Sequence, residues 1–225
     1  METANILPYV NHLSRRDGMG AKAGFWNFLA KRYARMSISD MDSYEFKLEK
    51  TREYFNSESE VFEFGCGTGS TAILHSPFVQ SILAVDFSPK MIEIAHSKLS
   101  EHQVSNVTFE QTDIDSLPDG HGPFDVVMGM SILHLLDDKD AVLARVTDLL
   151  KPGGVFISST ACIGGAGGLL RGSLKTGGAL RLLPHIDFFT LDELLQSMRD
   201  AGLEVEYQWQ PNDKAAAFIV ARKPV

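Results

Sequence analysis

Three glycines alternate at Gly65, Gly67 and Gly69 behind an acidic residue, Glu63, and a second carboxylate, Asp86, closes the next apolar run, Ser81-Ile82-Leu83-Ala84-Val85. Glycine has no Cβ and tolerates φ > 0, so a loop of this kind turns sharply and lets its backbone approach a ligand closely. A carboxylate ending the following strand stands where a doubly wound fold meets the two hydroxyls of a ribose. Together these residues suit the binding of a nucleoside cofactor at the carboxyl ends of two neighbouring strands. The order is not G-x-G-x-x-G, and no P-loop lysine follows, so neither a dinucleotide nor a phosphate cradle is expected. Cys66 is small enough for the loop. His134 reads either as a general base, because an unperturbed histidine titrates at about 6.5, or as a packed, hydrogen-bonded ring beneath the site.

The elements that must position these groups follow from pattern. Val61–Phe64 is a short buried strand that feeds the glycine loop and a short helix from Ser70 to about His75, closed by Pro77. Strand two covers Ser81–Phe87. Ser88 caps a helix with Pro89 at its first position and Met91, Ile92, Ala95 and Leu99 on its apolar face. Strand three runs from Val107 to Thr112, and Asp113-Ile114-Asp115 follow at its end. Only Ser116–Pro123, rich in turn formers, separates it from strand four, Phe124–Met130, so the crossover there shrinks to a turn. Lys139–Leu150 is an amphipathic helix. The glycines of Lys151-Pro152-Gly153-Gly154 turn it into strand five, Val155–Thr160. Thr190 caps a helix over Leu191–Ala201, Gly202 stops it, and Leu203–Trp209 with Ala215–Ala221 reads as an antiparallel hairpin.

Two helices precede the loop, one from about Gly24 to Met36 and one from Ser39 or Asp40 to about Phe55. Residues 164–178 hold seven glycines in fifteen positions, with Arg171, Lys175 and Arg181 set among leucines. This stretch reads as a mobile lid over a substrate, or as a surface insertion with no ligand contact.

Glu63-Phe64-Gly65-Cys66-Gly67-Thr68-Gly69-Ser70, followed by Ala84-Val85-Asp86-Phe87-Ser88, resembles the class I S-adenosylmethionine-dependent methyltransferases. The segments from Phe124 to Asp138 and from Leu150 to Ile157 fall in that family's order, and the likeness covers 61–160 best. It implies an α/β, doubly wound, Rossmann-like fold, with a mostly parallel seven-stranded sheet, an antiparallel last strand and helices at the amino end. The expected organisation is one domain over 1–225, with a helical cap at 1–57 and a cofactor-binding core at 58–160. A lid or substrate insertion at 161–189 and a closing helix and hairpin at 190–225 complete it.

The resemblance implies S-adenosyl-L-methionine as cofactor and S-adenosyl-L-homocysteine as product. Glu63, Gly65, Cys66, Gly67 and Gly69 would surround the cofactor's amino-acid end, Asp86 its ribose, and Phe87, Met91, Asp113 and Ile114 its adenine. Gly129 and Met130 would close the site from strand four. Trp26, Tyr44, Ser131, His185, Phe188 and Phe189 are the candidates for the acceptor pocket, and Tyr33 and His134 for catalysis. The same aromatic residues also serve a reading in which they only pack the leading helices. A sulfonium methyl is already electrophilic, so the transfer needs alignment and desolvation rather than a triad or a metal, and no metal site is expected.

Composition narrows the function classes. With 29 acidic and 21 basic side chains the formal charge is −8, which lacks the basic footprint of a nucleic-acid binder. Two cysteines, Cys66 and Cys162, make neither a disulfide framework nor a zinc site. The opening residues, Met1-Glu2-Thr3-Ala4-Asn5, show no signal peptide, and no apolar run is long enough to span a bilayer, so a cytoplasmic location is expected. The expected partner is a small methyl acceptor, apolar or amphipathic, that takes the methyl on O, N or S. The alternatives are a lipid or quinone acceptor at a membrane surface, and a member of the fold that binds cofactor without turnover. The sequence does not address oligomeric state.

Overall fold

The computed structural model describes residues 23–118, 120–165, 186–213 and 215–225. Most of the proposed lid, and His185, lie outside the described residues. The described chain forms a seven-stranded sheet in the order β3-β2-β1-β4-β5-β7-β6. The strands are β1 (Glu60–Phe64), β2 (Ser81–Asp86), β3 (Val107–Gln111), β4 (Phe124–Met130), β5 (Leu150–Thr160), β6 (Glu204–Trp209) and β7 (Ala217–Arg222). β1 pairs in parallel with both β2 and β4, and the parallel ladder continues to β3 on one side and β5 on the other. β7 runs antiparallel between β5 and β6. The chain winds outward from β1 to β3 and then returns to β4, so the crevice at the carboxyl ends opens between β1 and its neighbours.

Strand parity decides what each face carries, because successive side chains point to opposite sides. Phe62, Phe64, Val127 and Phe156 pack on α5 (Lys139–Leu149) and α6 (Leu191–Asp200), through Val142, Leu143, Val146, Leu194 and Met198. Val61, Val126, Met128, Val155 and Ile157 pack on the other face, with Ala72 and Ile73 of α3 (Ser70–His75) and Ile92 and Ala95 of α4 (Pro89–His102). Each of these fully buried Leu, Ile or Phe side chains contributes about 2 kcal/mol by leaving water. By the same parity Glu63, Asp86, Met130 and Ser159 end on the α3–α4 face, and Thr160 ends on the other.

The helix starts follow their caps. Asp40 caps α2 (Met41–Arg52) by accepting from the Ser43 N–H at 3.0 Å. Ser88 caps α4, and Thr190 and Glu193 form a capping box on α6. The leading helix, α1, spans 23–33. The crossover between β3 and β4 is a single 3-10 turn, Ile114–Ser116, that expectation and structure share. Many expected boundaries shift by one to three residues, and the start of strand five moves furthest. β5 begins at Leu150, which pairs with Phe124; pairing then resumes at Val155 opposite Val126. Lys151-Pro152-Gly153-Gly154 is therefore an excursion within the strand, with Gly153 at φ 79, rather than a turn before it.

Candidate functional site

Three successive left-handed glycines shape the loop after β1: φ is 65° at Gly65, 54° at Gly67 and 74° at Gly69. Their surroundings differ. A Cβ on Gly69 would stand 2.4 Å from the Phe109 ring and 2.9 Å from Ala95, so this glycine packs the loop onto α4 and β3. A Cβ on Gly65 would meet Ile132 at 2.8 Å. A Cβ on Gly67 would meet nothing nearer than the Tyr33 ring at 3.9 Å, which leaves this backbone the open one. Lys98 of α4 ties the loop down by donating to Thr68 Oγ1 at 3.0 Å and Ser70 Oγ at 2.7 Å.

Asp86 organises the same loop from the next strand. Its Oδ2 accepts from the Gly67 N–H at 2.9 Å and its Oδ1 from the Ser88 N–H at 2.8 Å. Burial raises its pKa, and these two amides pull it back. Beside it Glu63 is 2% exposed, and its Oε2 has no hydrogen-bond partner among the described residues. Burial, and then the Asp86 charge, push the Glu63 carboxyl up to about 8. A buried carboxyl oxygen without a donor costs free energy, and a cationic or N–H-bearing ligand group would satisfy it. The Cys66 N–H donates to Val85 O at 3.0 Å, and burial drives its thiol well above the ordinary range, so it packs as a small apolar group.

The leading helices reach this loop. Asn27 Oδ1 accepts from Ser88 Oγ at 2.8 Å and from the Lys90 N–H at 3.3 Å, which docks α1 on the start of α4. Trp26 and Tyr33 then stand edge to face at 6.3 Å. The Tyr33 phenol is raised by burial, by Asp86 and by Glu63, although 47% of the residue is exposed. At neutral pH it keeps its proton and is a hydrogen-bond donor, not a base. Tyr44 of α2 is raised mainly by burial, with a hydrogen bond to Thr71 opposing and Glu63 adding. The structure thus brings Tyr33, Tyr44, Glu63, Asp86 and Gly67 together.

Other expected site residues are placed differently. A Cβ on Gly129 would stand 2.6 Å from the Phe64 ring, so packing against Phe64 keeps this position small. Ile114 is buried in the core on the α5 side, and Asp113 Oδ1 caps the following turn by accepting from the Ser116 N–H at 2.7 Å. Met91 is buried near the start of α4, while Phe87 and Met130 are partly exposed at strand ends. Phe189 departs from the pocket set: it is 3% exposed within the α5–α6 core, with Lys139 over its ring at 5.6 Å. Phe188 is half-buried. His134 Nδ1 lies 3.0 Å from Thr160 Oγ1, and its carbonyl accepts from the Asp187 N–H at 2.8 Å. Burial lowers its pKa, and its partner belongs to the face opposite Glu63. Ser131 is exposed and left-handed, φ 57°, and donates its N–H to Ser159 O at 2.6 Å.

Sequence reasoning missed Asn27, Lys47, Lys98, Ser159 and Thr160. Each works through a hydrogen bond to a distant segment, and no local pattern signals one. Among the described residues no cluster of three or more His, Cys, Asp or Glu could hold a metal, and no helix is long and apolar enough to cross a membrane.

Residues 61–154 match a family model described as a methyltransferase domain. An uncharacterized methyltransferase, YcgJ of Bacillus subtilis, is 35% identical over 101 residues, 45% of this chain and 40% of that protein. The demethylmenaquinone methyltransferase of Leptospira interrogans is 34% identical over 152 residues, 61% of this chain and 60% of its own length. The chain thus matches less than two thirds of either relative. Among solved structures, the DhpI–SAH complex superposes with a TM-score of 0.69 at 20% identity, covering 92% of this chain and 97% of the other. At that identity the likeness is one of fold.

Proposed function

We propose that this chain is a class I S-adenosylmethionine-dependent methyltransferase, a reading supported by its matches to a methyltransferase-domain model and to methyltransferase relatives, and that it transfers a methyl group to an O, N or S atom of a small amphipathic molecule. The observation that carries this reading is the pairing of an open, left-handed Gly67 held by Asp86 with a buried Glu63 whose Oε2 lacks a partner. A nucleoside with a cationic amino-acid tail fits that set: hydroxyls for Asp86, and an ammonium for Glu63. When bound, S-adenosylmethionine supplies the electrophilic methyl of its sulfonium.

The chain's own residues supply position. The amides around Gly65, Cys66 and Gly67 give close backbone approach, and Asp86 accepts from ribose hydroxyls while keeping the loop in register. Glu63 becomes an anion when an ammonium arrives. Phe87 and Met91 border the base, and Met130 bounds the crevice from β4. Trp26, Tyr33 and Tyr44 close over the glycine loop and exclude water, with the Tyr33 phenol as donor. An in-line displacement needs this alignment and desolvation more than it needs a base. His134, bonded to Thr160, anchors the turn after β4.

A lipid-borne quinone is the second reading of the acceptor. One relative is named for demethylmenaquinone. Phe28, Met36, Ile38 and Met41 are exposed near Tyr33, among the exposed Lys31, Arg32 and Arg35. The experiment is calorimetric titration with S-adenosylhomocysteine, with NADH as control. Saturable binding of the first alone is expected, followed by methyl transfer in an acceptor screen. Binding of NADH alone would overturn the reading.

A further inference from the structure

At the carboxyl end of β5 stands a cation that forms no ion pair among the described residues. Lys47 reaches from α2 to the sheet and donates from Nζ to Ser159 Oγ at 3.0 Å. The ammonium stands 5.9 Å from the centre of the Trp209 ring, which packs on Phe46 at 4.5 Å. The residue is half-buried, and burial lowers its pKa, with only the charge of Asp40 opposing. Among the described residues Lys50, Lys90, Lys139 and Lys151 each pair with an Asp or Glu, and Lys47 pairs with none. Lys98 also lacks a carboxylate, but it engages two hydroxyls, whereas Lys47 engages one. An ammonium has three donors.

Its place in the fold gives that cation a meaning. Ser159 is the register partner of Met130, and its carbonyl accepts from the N–H of Ser131. Ser131 is one of two non-glycine residues in the described chain held at positive φ, and strained backbone of this kind persists where surrounding structure enforces it, often at functional sites. Tyr44, three residues before Lys47 and so on the same face of α2, feels the charge of Glu63. One helix face thus runs from the acidic pair at β1 and β2 to the cation at β5. The charges are segregated: Glu63 and Asp86 at one end, Lys47 at the other.

We propose that Lys47 receives an oxyanion of the methyl acceptor, an ionised hydroxyl or a carboxylate, and thereby fixes which end of the acceptor faces away from Glu63 and Asp86. This rests on the methyltransferase reading. An anion at Lys47 would use the two remaining donors and form a charge-assisted hydrogen bond in a site partly withdrawn from water, where such bonds are stronger. The charge of Asp86 disfavours the same anion in the cofactor half, so the acceptor has one favoured orientation. The Trp209 ring beside the ammonium suits an acceptor whose charged group is attached to a flat or apolar body.

The test uses the full chain saturated with S-adenosylhomocysteine and two matched probes, 3,4-dihydroxybenzoate and its neutral amide, titrated calorimetrically. The benzoate is expected to bind about tenfold more tightly than the amide, as one charge-assisted hydrogen bond provides. In Lys47→Met the preference disappears, while affinity for S-adenosylhomocysteine stays within about twofold because the two ends of the site act independently. Lys47→Arg keeps a preference for the benzoate. Equal affinity of the unmodified protein for both probes overturns the proposal, as does a failure to bind the benzoate or a preference that survives in Lys47→Met. If Lys47→Met does not fold, the two-probe comparison on the unmodified protein decides. Failure of the unmodified protein to bind S-adenosylhomocysteine would instead remove the methyltransferase reading, so the two failures are distinct.

Discussion

Glu63 and Asp86 lie on adjacent parallel strands with their side chains on one face of the sheet, and the charge of Asp86 adds to burial in pushing the Glu63 carboxyl up to about 8. The sign of the consequence follows from linkage. With a folded pKa above the unfolded value of 4.5, the ligand-free protein holds a proton that the unfolded chain has already released. The contribution to stability is complete below about 4.5 and is lost as pH rises toward about 8. Thermal unfolding across that window is expected to show a falling Tm, and Glu63→Gln is expected to flatten the fall. A variant with the same slope as the parent would show that Glu63 is ionised throughout.

Asp86→Ala removes an acceptor that serves both the loop and the proposed ribose. S-adenosylhomocysteine affinity is expected to fall at least about tenfold, roughly 1.4 kcal/mol, the scale of a lost charge-assisted hydrogen bond. Calorimetry on a variant shown to be folded checks it. Unchanged affinity would take Asp86 out of the site.

The glycines separate by their neighbours. Gly69→Ala places a Cβ 2.4 Å from Phe109 at φ 74°, so both overlap and backbone strain act. A loss of about 3 kcal/mol is expected. Gly67→Ala meets only Tyr33, at 3.9 Å, and bears the left-handed backbone cost alone. That cost is about 1 kcal/mol. Urea unfolding of the two variants compares them directly, and equal losses would contradict the packing role of Gly69.

His75 gives a second pH limb. It is fully buried at the end of α3, with neither ring nitrogen partnered among the described residues, and burial followed by the Arg52 charge lowers its pKa to about 3. A base with a depressed folded pKa contributes stability above its unfolded value of 6.5, and that contribution is lost as pH falls toward about 3. His75→Leu is expected to hold its Tm better than the parent in acid. Parallel acid limbs in the two proteins would rule out His75 as the group responsible.

Local chemistry was legible in the sequence where a residue acts on its neighbours. Glycine spacing announced the left-handed loop, and Asp40, Ser88 and Thr190 announced helix starts because a cap bonds within three residues. Strand five was misplaced because Pro152 and two glycines look like a terminator, yet the sheet resumes beyond them. Gly129 and Phe189 were expected at the site from the family resemblance; a Cβ on the first would strike the Phe64 ring, and the second is buried in the core. Lys47 and Ser159 are 112 positions apart, and Asn27 and Ser88 are 61 apart. Such pairs follow from how helices dock on a finished sheet, which periodicity does not encode.

The attachment of helix 23–33 carries a kinetic consequence. Its hydrogen bonds to other described elements are those of Asn27 alone, to Ser88 and Lys90, whereas β1 and β4 are laddered on both sides. Segments held by few polar ties open at lower free energy than the strands they cover. The helix is thus expected to open as a sub-global unit that leaves the sheet intact. Its amide hydrogens are expected to exchange well before those of β1 in native-state hydrogen exchange. The residence time of whatever sits over Gly67 is then set by this helix and not by the global stability of the protein.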